Sequence, residues 1–306
     1  MMNFQKQVLE LAAQIPGGKI STYGDLAKAL GDIRASRAVG NALNKNQSPV
    51  IVPCHRVVMS DGRVGGYSGG VEKKIELLEK EGLKIEGNKI LNFKKFLFKD
   101  FNAFQCIDLK KLKEIQKEIK SQIILKDGFS EIKTVAGFDI SYTGNKAFGA
   151  CVVFNYQTKE IIERATAKAR VDFPYISTYL SFREFPLIEK LFKKLKNKPT
   201  VLMIDGNGIL HPGGAGIASH AGVLLDIPAV GVAKTLLCGE VFGDRVMYDG
   251  KLIGIALKTG KGKPVYVSPG HKISYETAVT VVKEFCKYRI PEPTRQAHIL
   301  SKKLKN

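Results

Sequence analysis

In the stretch Pro53-Cys54-His55-Arg56 a thiol stands beside an imidazole. A thiol attacks carbon only as thiolate, so it needs a nearby base or a positive field. His55 can supply the base, directly or through a water, although a Cys-His pair also arises by chance. Further along, the apolar runs ending in Asp139 (Val135-Ala136-Gly137-Phe138-Asp139) and Asp205 (Thr200-Val201-Leu202-Met203-Ile204-Asp205) each deliver a carboxylate to a strand end, the second followed by Gly-Asn-Gly. Side by side, two such acids repel until one takes a proton. A shared Mg²⁺ removes the conflict, because hard cations prefer carboxylate oxygens. A lone strand-end Asp is ordinarily a turn former, so the metal reading belongs to the pair.

Elements must bring these groups into place. The apolar run Ser48-Pro49-Val50-Ile51-Val52 reads as strand-like and leads into Cys54. Upstream, Ser21 or Thr22 can cap a short helix over YGDLAKAL that ends at Gly31, and a second helix is expected from about Ala35 to Leu43. Two short helices joined by a tight turn are a common DNA-docking unit. Ala35, Ala38 and Ala42 form a stripe of methyls with Arg37 and Asn41 beside it, which suits close approach to DNA or, equally, ordinary helix packing. From Val135 onward the pattern becomes α/β. Val135–Asp139, AFGACVVFN after a turn at Gly144-Asn145, and EIIERATAKARV predict an antiparallel meander. A helix over roughly Thr178–Lys196 and a buried strand into Asp205 follow. Leu109, Leu112, Ile115, Ile119 and Ile123 share the face of another helix. The change of pattern predicts a domain over 1–93, a linker over 94–103 and a second domain over 104–306.

The 306 residues suit about two domains. With 44% hydrophobic and 25% charged residues, the composition excludes a disordered or fibrous chain. Lys and Arg number 48 against 29 acidic residues, a net charge of +19. Residues 1–98 carry 15 basic and 9 acidic side chains, so both halves are basic and a polyanion, above all nucleic acid, is the expected partner. No apolar run is long enough to span a membrane, and the opening MMNFQKQVLELAAQ has no apolar signal core, so a cytoplasmic protein is expected. Five scattered cysteines without a CxxC argue against a disulfide framework or a thiolate zinc site.

The segments TYGDLAKAL, SRAVGNALNKN, PCHRVV, GGYSGG and LLEKEGL, in that order over roughly residues 3–92, closely resemble the DNA-binding domain of O-6-alkylguanine-DNA alkyltransferases. The resemblance implies a mainly α, winged-helix-like helix-turn-helix domain that enters the minor groove and flips the damaged guanine out. Cys54 would take the alkyl group irreversibly, with no cofactor. Relatives that only bind lesions carry Trp there. Arg37 resembles the arginine that fills the gap left by the flipped base, and Tyr23 the tyrosine beside the rotated phosphate. Asn46, His55 and Glu81 resemble the hydrogen-bonded chain that activates the cysteine; Tyr67 and Ser68 resemble the groups over the guanine. The separate N-terminal domain usual in that family is not matched here.

Across about residues 104–302, GFDISY, PYISTYLSFRE, DGNGILHPGGAGIASHAG, GVAKT, PVYVSPGHKIS and PEPTRQAH resemble endonuclease V. The implied fold is α/β and ribonuclease H-like, with a mixed five-stranded sheet. The implied chemistry is Mg²⁺-dependent hydrolysis, with Mn²⁺ as an alternative ion, at the second phosphodiester 3′ of a deaminated base, chiefly hypoxanthine. By this resemblance Asp139, Asp205, Glu184 and His271 are metal-site residues and Lys234 offsets charge on the phosphate. His211 is expected to line the site. Pro174-Tyr175-Ile176-Ser177 resembles the wedge that separates strands at the lesion, with Tyr175 at its tip. Ser177 replaces the usual proline, Asn207 the histidine of DGHG, and Gly213 an arginine that often follows HP.

Together the two resemblances imply a bifunctional DNA-repair protein acting on double-stranded DNA, with no membrane and no obligate protein partner. Two alternatives stand beside it. One is a lesion-sensing binding protein with a passive nuclease fold; the other is an inosine-specific ribonuclease.

Overall fold

The computed structural model describes residues 4–102, 109–260 and 262–305. The chain divides into two compact units, residues 1–111 with 172–177, and residues 112–171 with 178–306. The expected junction between 103 and 104 lies outside the described residues, as does Cys106.

The first unit is mainly helical. It contains α1 (Phe4–Ala13), β1 (Ser21–Thr22), α2 (Tyr23–Ala29), α3 (Ser36–Asn44), β2 (Val57–Val58), α4 (Val71–Lys80), β3 (Ile85–Glu86) and β4 (Lys89–Ile90). Thr22 caps α2, its hydroxyl accepting from the Asp25 N–H at 3.0 Å, a contact of the kind that contributes about 1 kcal/mol. Gly31, at φ +103°, turns the chain toward α3. Ala35, Ala38 and Ala42 are all buried, so the alanine stripe is the packing face of this motif; Arg37 and Asn41 stay exposed. β1 pairs in parallel with β2, Ser21 opposite Val57, and so ties the start of α2 to the segment that follows Cys54. Residues 48–52 are a turn instead of the expected strand. Pro49 has no N–H to give a ladder, and Asn46 captures the loop: Ser48 N–H donates to its Oδ1 at 3.0 Å, and its Nδ2 donates to the Val52 carbonyl at 3.3 Å.

Helix α5 (Leu109–Ser121) follows. The antiparallel meander is β5 (Thr134–Thr143), β6 (Lys146–Asn155) and β7 (Ile161–Arg170). Then come α6 (Leu180–Lys194), β8 (Val201–Asp205), α7 (Ile217–Leu225), β9 (Ala229–Ala233), β10 (Glu240–Phe242), β11 (Arg245–Tyr248), β12 (Lys251–Leu257), β13 (Val265–His271), α8 (Tyr275–Glu284) and α9 (Glu292–Lys303). The sheet order is β10-β11-β12-β13-β9-β8-β5-β6-β7. The five strands β7-β6-β5-β8-β9 form the mixed core, with β5, β8 and β9 parallel. An antiparallel extension, β10 to β13, brings the sheet to nine strands among the described residues.

Both faces of the sheet are covered. Phe138, Leu202 and Ile204 pack on Leu187, Ile188 and Leu191 of α6 and on α7. Val135, Val201, Met203, Val230 and Val232 pack on Val281 and Val282 of α8 and Ala297 of α9. Gly137 decides how close α9 comes: a Cβ there would lie 2.0 Å from the Pro293 carbonyl. Among the described residues no helix is long and apolar enough to cross a membrane.

Candidate active sites

Cys54 begins a single helical turn, Cys54–Arg56, and is 6% exposed. It lines a cavity of about 360 Å³ together with Tyr23, Asn41, Leu43, Gly66, Tyr67 and Ser68. Asn46 Nδ2 donates to its sulfur at 2.9 Å. His55 is buried beside it, Nε2 2.9 Å from Glu81 Oε1, while Nδ1 is buried and meets no partner among the described residues. Burial pushes the Cys54 thiol up; the Asn46 hydrogen bond, the local backbone and the Lys74 charge pull against it. The sequence-expected group Asn46, Cys54, His55, Glu81, Tyr23, Tyr67 and Ser68 is therefore brought to one place. Arg37 is exposed on α3 and does not line the cavity.

Two residues of this site were not singled out from the sequence. Arg56 donates to Glu81 from Nε at 3.0 Å and from its terminal nitrogen at 2.7 Å, and to the Ile15 carbonyl at 2.6 Å. Burial acts to raise Glu81, but the hydrogen bonds from Arg56 and His55 hold its carboxyl below the usual range. Lys74 is fully buried, and its ammonium donates to the carbonyls of Val57 at 2.6 Å and Gly66 at 3.1 Å. Burial brings it down to about 7. Its signal in the sequence is a lysine at apolar spacing, three residues after Val71 and four before Leu78.

In the second unit, the register Phe138↔Ile204 puts Asp139 and Asp205 side by side. Asp205 ends β8 as expected, but Asp139 lies midway along β5, which continues to Thr143 because it stays paired with β6. With Glu184 of α6 they line a cavity of about 180 Å³. Ser301 Oγ donates to Asp139 Oδ2, and His298 Nδ1 lies 3.2 Å from Oδ1. Lys234 Nζ contacts Asp205 Oδ2. Tyr142 donates its hydroxyl to Glu184 Oε1 at 3.0 Å. Burial, with the charges of Asp139 and Asp205, pushes Glu184 up to about 8 against the Tyr142 hydrogen bond. Burial also raises Asp205, opposed by Lys234.

His271 is not brought to these acids. It pairs with Ala229 at the opening of β9, whereas Asp205 pairs with Val232. It therefore sits at the opposite end of the sheet. There its Nδ1 faces the Ile124 N–H at 3.4 Å and Nε2 lies 3.7 Å from Asp226. The histidine beside the carboxylates is His298, in PEPTRQAH; His298 and Ser301 are three apart on α9 and so share a face. The resemblance placed the metal-site histidine in PGHKIS; the histidine beside Asp139 belongs instead to PEPTRQAH. His211 is buried and engages its own surroundings, Nε2 near the Thr178 carbonyl at 3.1 Å and Nδ1 accepting from Gly213 N–H at 3.0 Å. A side chain at 213 would crowd that ring, its Cβ 3.3 Å from Nδ1. Tyr175 is 60% exposed.

Among the described residues no three His, Cys, Asp or Glu side chains are already clustered as a metal site. Lys234 and Tyr142 hold two of the acids instead. The donor set still fits a hard divalent cation: all oxygen, facing one small cavity, and crowded enough that Glu184 resists ionisation.

The family model for Endonuclease V matches residues 117–299, and that for the 6-O-methylguanine DNA methyltransferase DNA-binding domain matches residues 3–83. A bifunctional methyltransferase/endonuclease of Picrophilus torridus is 37% identical over 291 residues, covering 94% of this chain and 92% of that protein. The crystal structure of endonuclease V from Streptomyces avermitilis is 31% identical with a TM-score of 0.61, over 67% of this chain and 95% of its own. Endonuclease V of Ciona intestinalis, solved with a 24mer DNA containing an inosine followed by a ribo-adenosine, is 32% identical with a TM-score of 0.59, over 64% of this chain and 97% of its own. The fold is thus that of an endonuclease V domain joined to a methyltransferase DNA-binding domain. The chain belongs to the endonuclease V family, in its bifunctional methyltransferase/endonuclease branch. Both modules are those of DNA-repair proteins.

Proposed function

We propose that this protein repairs two kinds of single-base damage in double-stranded DNA: it removes alkyl groups from O6 of guanine and incises 3′ of deaminated bases such as hypoxanthine. The observation that carries the reading is that each unit presents its reactive group in a cavity of its own, Cys54 in one and Asp139, Glu184 and Asp205 in the other.

In the first unit, Glu81 holds Nε2 of His55 and leaves Nδ1 to receive the thiol proton through a water. The sulfur then attacks the alkyl carbon, an S–C bond forms, the C–O6 bond breaks, and guanine leaves with a proton restored to its ring. Tyr67 and Ser68 stand over the base, Tyr23 beside the backbone, and Arg37 fills the gap in the duplex. The transfer ends with an alkylated Cys54, so each molecule acts once.

In the second unit, Asp139, Glu184 and Asp205 would hold Mg²⁺. Held there, it would polarise a phosphoryl oxygen and make an attacking water more acidic. His298 and Ser301 orient Asp139. Lys234, now on Asp205, is placed to offset charge that develops on the phosphate. Tyr175, an exposed aromatic of the segment 172–177 that groups with the first unit, has the chemistry to take up stacking lost at a lesion.

The test crosses variants with substrates. Cys54→Ala should end label transfer from methylguanine DNA and leave incision of a hypoxanthine duplex in Mg²⁺ intact. Asp139→Asn and His298→Asn should do the reverse, whereas His271→Asn should leave incision close to that of the parent. Equal incision by Asp139→Asn and the parent would sink the metal assignment. The Ciona relative was solved with a ribonucleotide after inosine, which gives weight to a second reading as an inosine ribonuclease; faster cleavage of an inosine RNA than of the matching DNA would select it.

A further inference from the structure

Glu184 differs from the two aspartates in what fixes it. Asp139 and Asp205 are strand residues, and one backbone register sets both. Glu184 comes from α6, on a side chain with three rotatable bonds. Its side chain is anchored by the hydroxyl of Tyr142, at 3.0 Å from Oε1.

Tyr142 stands on β5, three residues beyond Asp139. By strand alternation it shares the face of Phe138 and Ile140, the face covered by α6. It does not line the carboxylate cavity, so it reaches the site only through Glu184. The same ring also meets the residue before Glu184: the Arg183 guanidinium carbon lies 4.2 Å from its centroid. Two consecutive residues of α6 are thus attached to one ring, and that ring rides on the strand that carries Asp139.

We propose that Tyr142 is a positioning residue that references the metal ligand Glu184 to the strand of Asp139. The inference rests on the metal reading of the second unit. A tyrosine that merely fills space would do the same work as phenylalanine, because the two differ only by the oxygen that meets Glu184. Without that oxygen, the carboxylate keeps its place on α6 but loses the contact that selects its orientation. A group supporting a metal ligand in this way commonly accounts for about 10- to 100-fold in metal affinity.

The experiment titrates Mn²⁺ into the full chain and into Tyr142→Phe, Glu184→Gln and Asp139→Asn, reading free Mn²⁺ by electron paramagnetic resonance. Incision is followed as a function of Mg²⁺ concentration, and melting temperature and alkyl transfer at Cys54 serve as controls of folding. The expected result for Tyr142→Phe is Mn²⁺ binding weakened about tenfold, with half-saturating Mg²⁺ for incision raised by the same factor. Incision at saturating Mg²⁺, the melting temperature and alkyl transfer should stay near those of the parent. If Tyr142→Phe binds Mn²⁺ like the parent while Asp139→Asn does not, the positioning role is overturned and the metal site stands. A fall in maximal incision with unchanged metal affinity also overturns it. If Asp139→Asn and Glu184→Gln both bind Mn²⁺ like the parent, the metal reading itself fails and this role with it.

Discussion

Cys54 lies in a setting that by itself opposes the chemistry proposed for it. Burial favours the neutral thiol, and the Asn46 hydrogen bond and Lys74 charge only partly offset that. Deprotonation must therefore be relayed, and the buried Nδ1 of His55, which meets no partner among the described residues, is where the relay starts. Glu81 fixes the other nitrogen but is itself gripped by Arg56. Glu81→Gln, which cannot carry the negative charge that supports an imidazolium, should slow alkyl transfer by about 10², with affinity for undamaged duplex unchanged; single-turnover transfer and a binding isotherm separate the two. Lys74 makes a second prediction at this scale. Its ordinary value is 10.5 and burial lowers it to about 7 in the folded unit. Between those values the unfolded chain binds the extra proton, so folding becomes more favourable as pH rises from about 7 toward 10.5, by up to ~1.4 kcal/mol per pH unit. Below about 7 both states are protonated and the full cost of the buried charge remains. Calorimetry of the parent should show the first unit gaining stability between pH 7 and 9, and Lys74→Met should lack that gain.

At the scale of elements, the site depends on how closely α9 lies on β5. Gly137→Ala would put a methyl 2.0 Å from the Pro293 carbonyl and 2.6 Å from the Thr294 nitrogen. The backbone there cannot yield locally, so α9 must shift and carry His298 and Ser301 away from Asp139. Incision should fall at least tenfold, an estimate from the sensitivity of catalysis to displacements near 1 Å, while transfer to Cys54 persists; both are measured on one preparation. What could be read from the sequence follows the same logic. The Thr22 cap, the meander and the strand ending in Asp205 depend on neighbours close in sequence, and their patterns were legible; the strand through Asp139 runs on to Thr143, held by its pairing with β6. The outer edge of the β10–β13 extension was not, because Glu240–Phe242 is an exposed strand of three residues with no alternation to detect. His271 and His298 show the limit for sites. Both lie in family-like motifs, and only the antiparallel pairing of β13 with β9 reveals which one reaches the carboxylates. The helix-spaced Lys74 could have been noticed, but its carbonyl partners, Val57 and Gly66, lie 17 and 8 residues away.

For the whole molecule, the question is whether the two chemistries report to each other. Each cavity is built from residues of its own unit: Cys54 and its partners lie within 1–111, and the three acids, Lys234, His298 and Ser301 within 112–171 and 178–306. Both halves are basic, so each can hold the same duplex, and a shared chain raises the local concentration of one at a lesion found by the other. That effect requires only tethering and leaves the intrinsic rates alone. A sensor, by contrast, needs a difference in free energy between the alkylated and free forms that the nuclease can feel. Protein first exhausted with methylguanine DNA, so that every Cys54 is alkylated, should then incise a separate hypoxanthine duplex at the parent rate, at saturating DNA and Mg²⁺. On a duplex carrying both lesions within a few tens of base pairs, fresh protein should act at subsaturating concentration with no more than the gain that tethering supplies, and Cys54→Ala, which still binds, should retain that gain. An incision rate that changes severalfold with the state of Cys54 would mean that alkylation is a signal read by the second unit, and the protein would then be a lesion sensor as well as a repair enzyme.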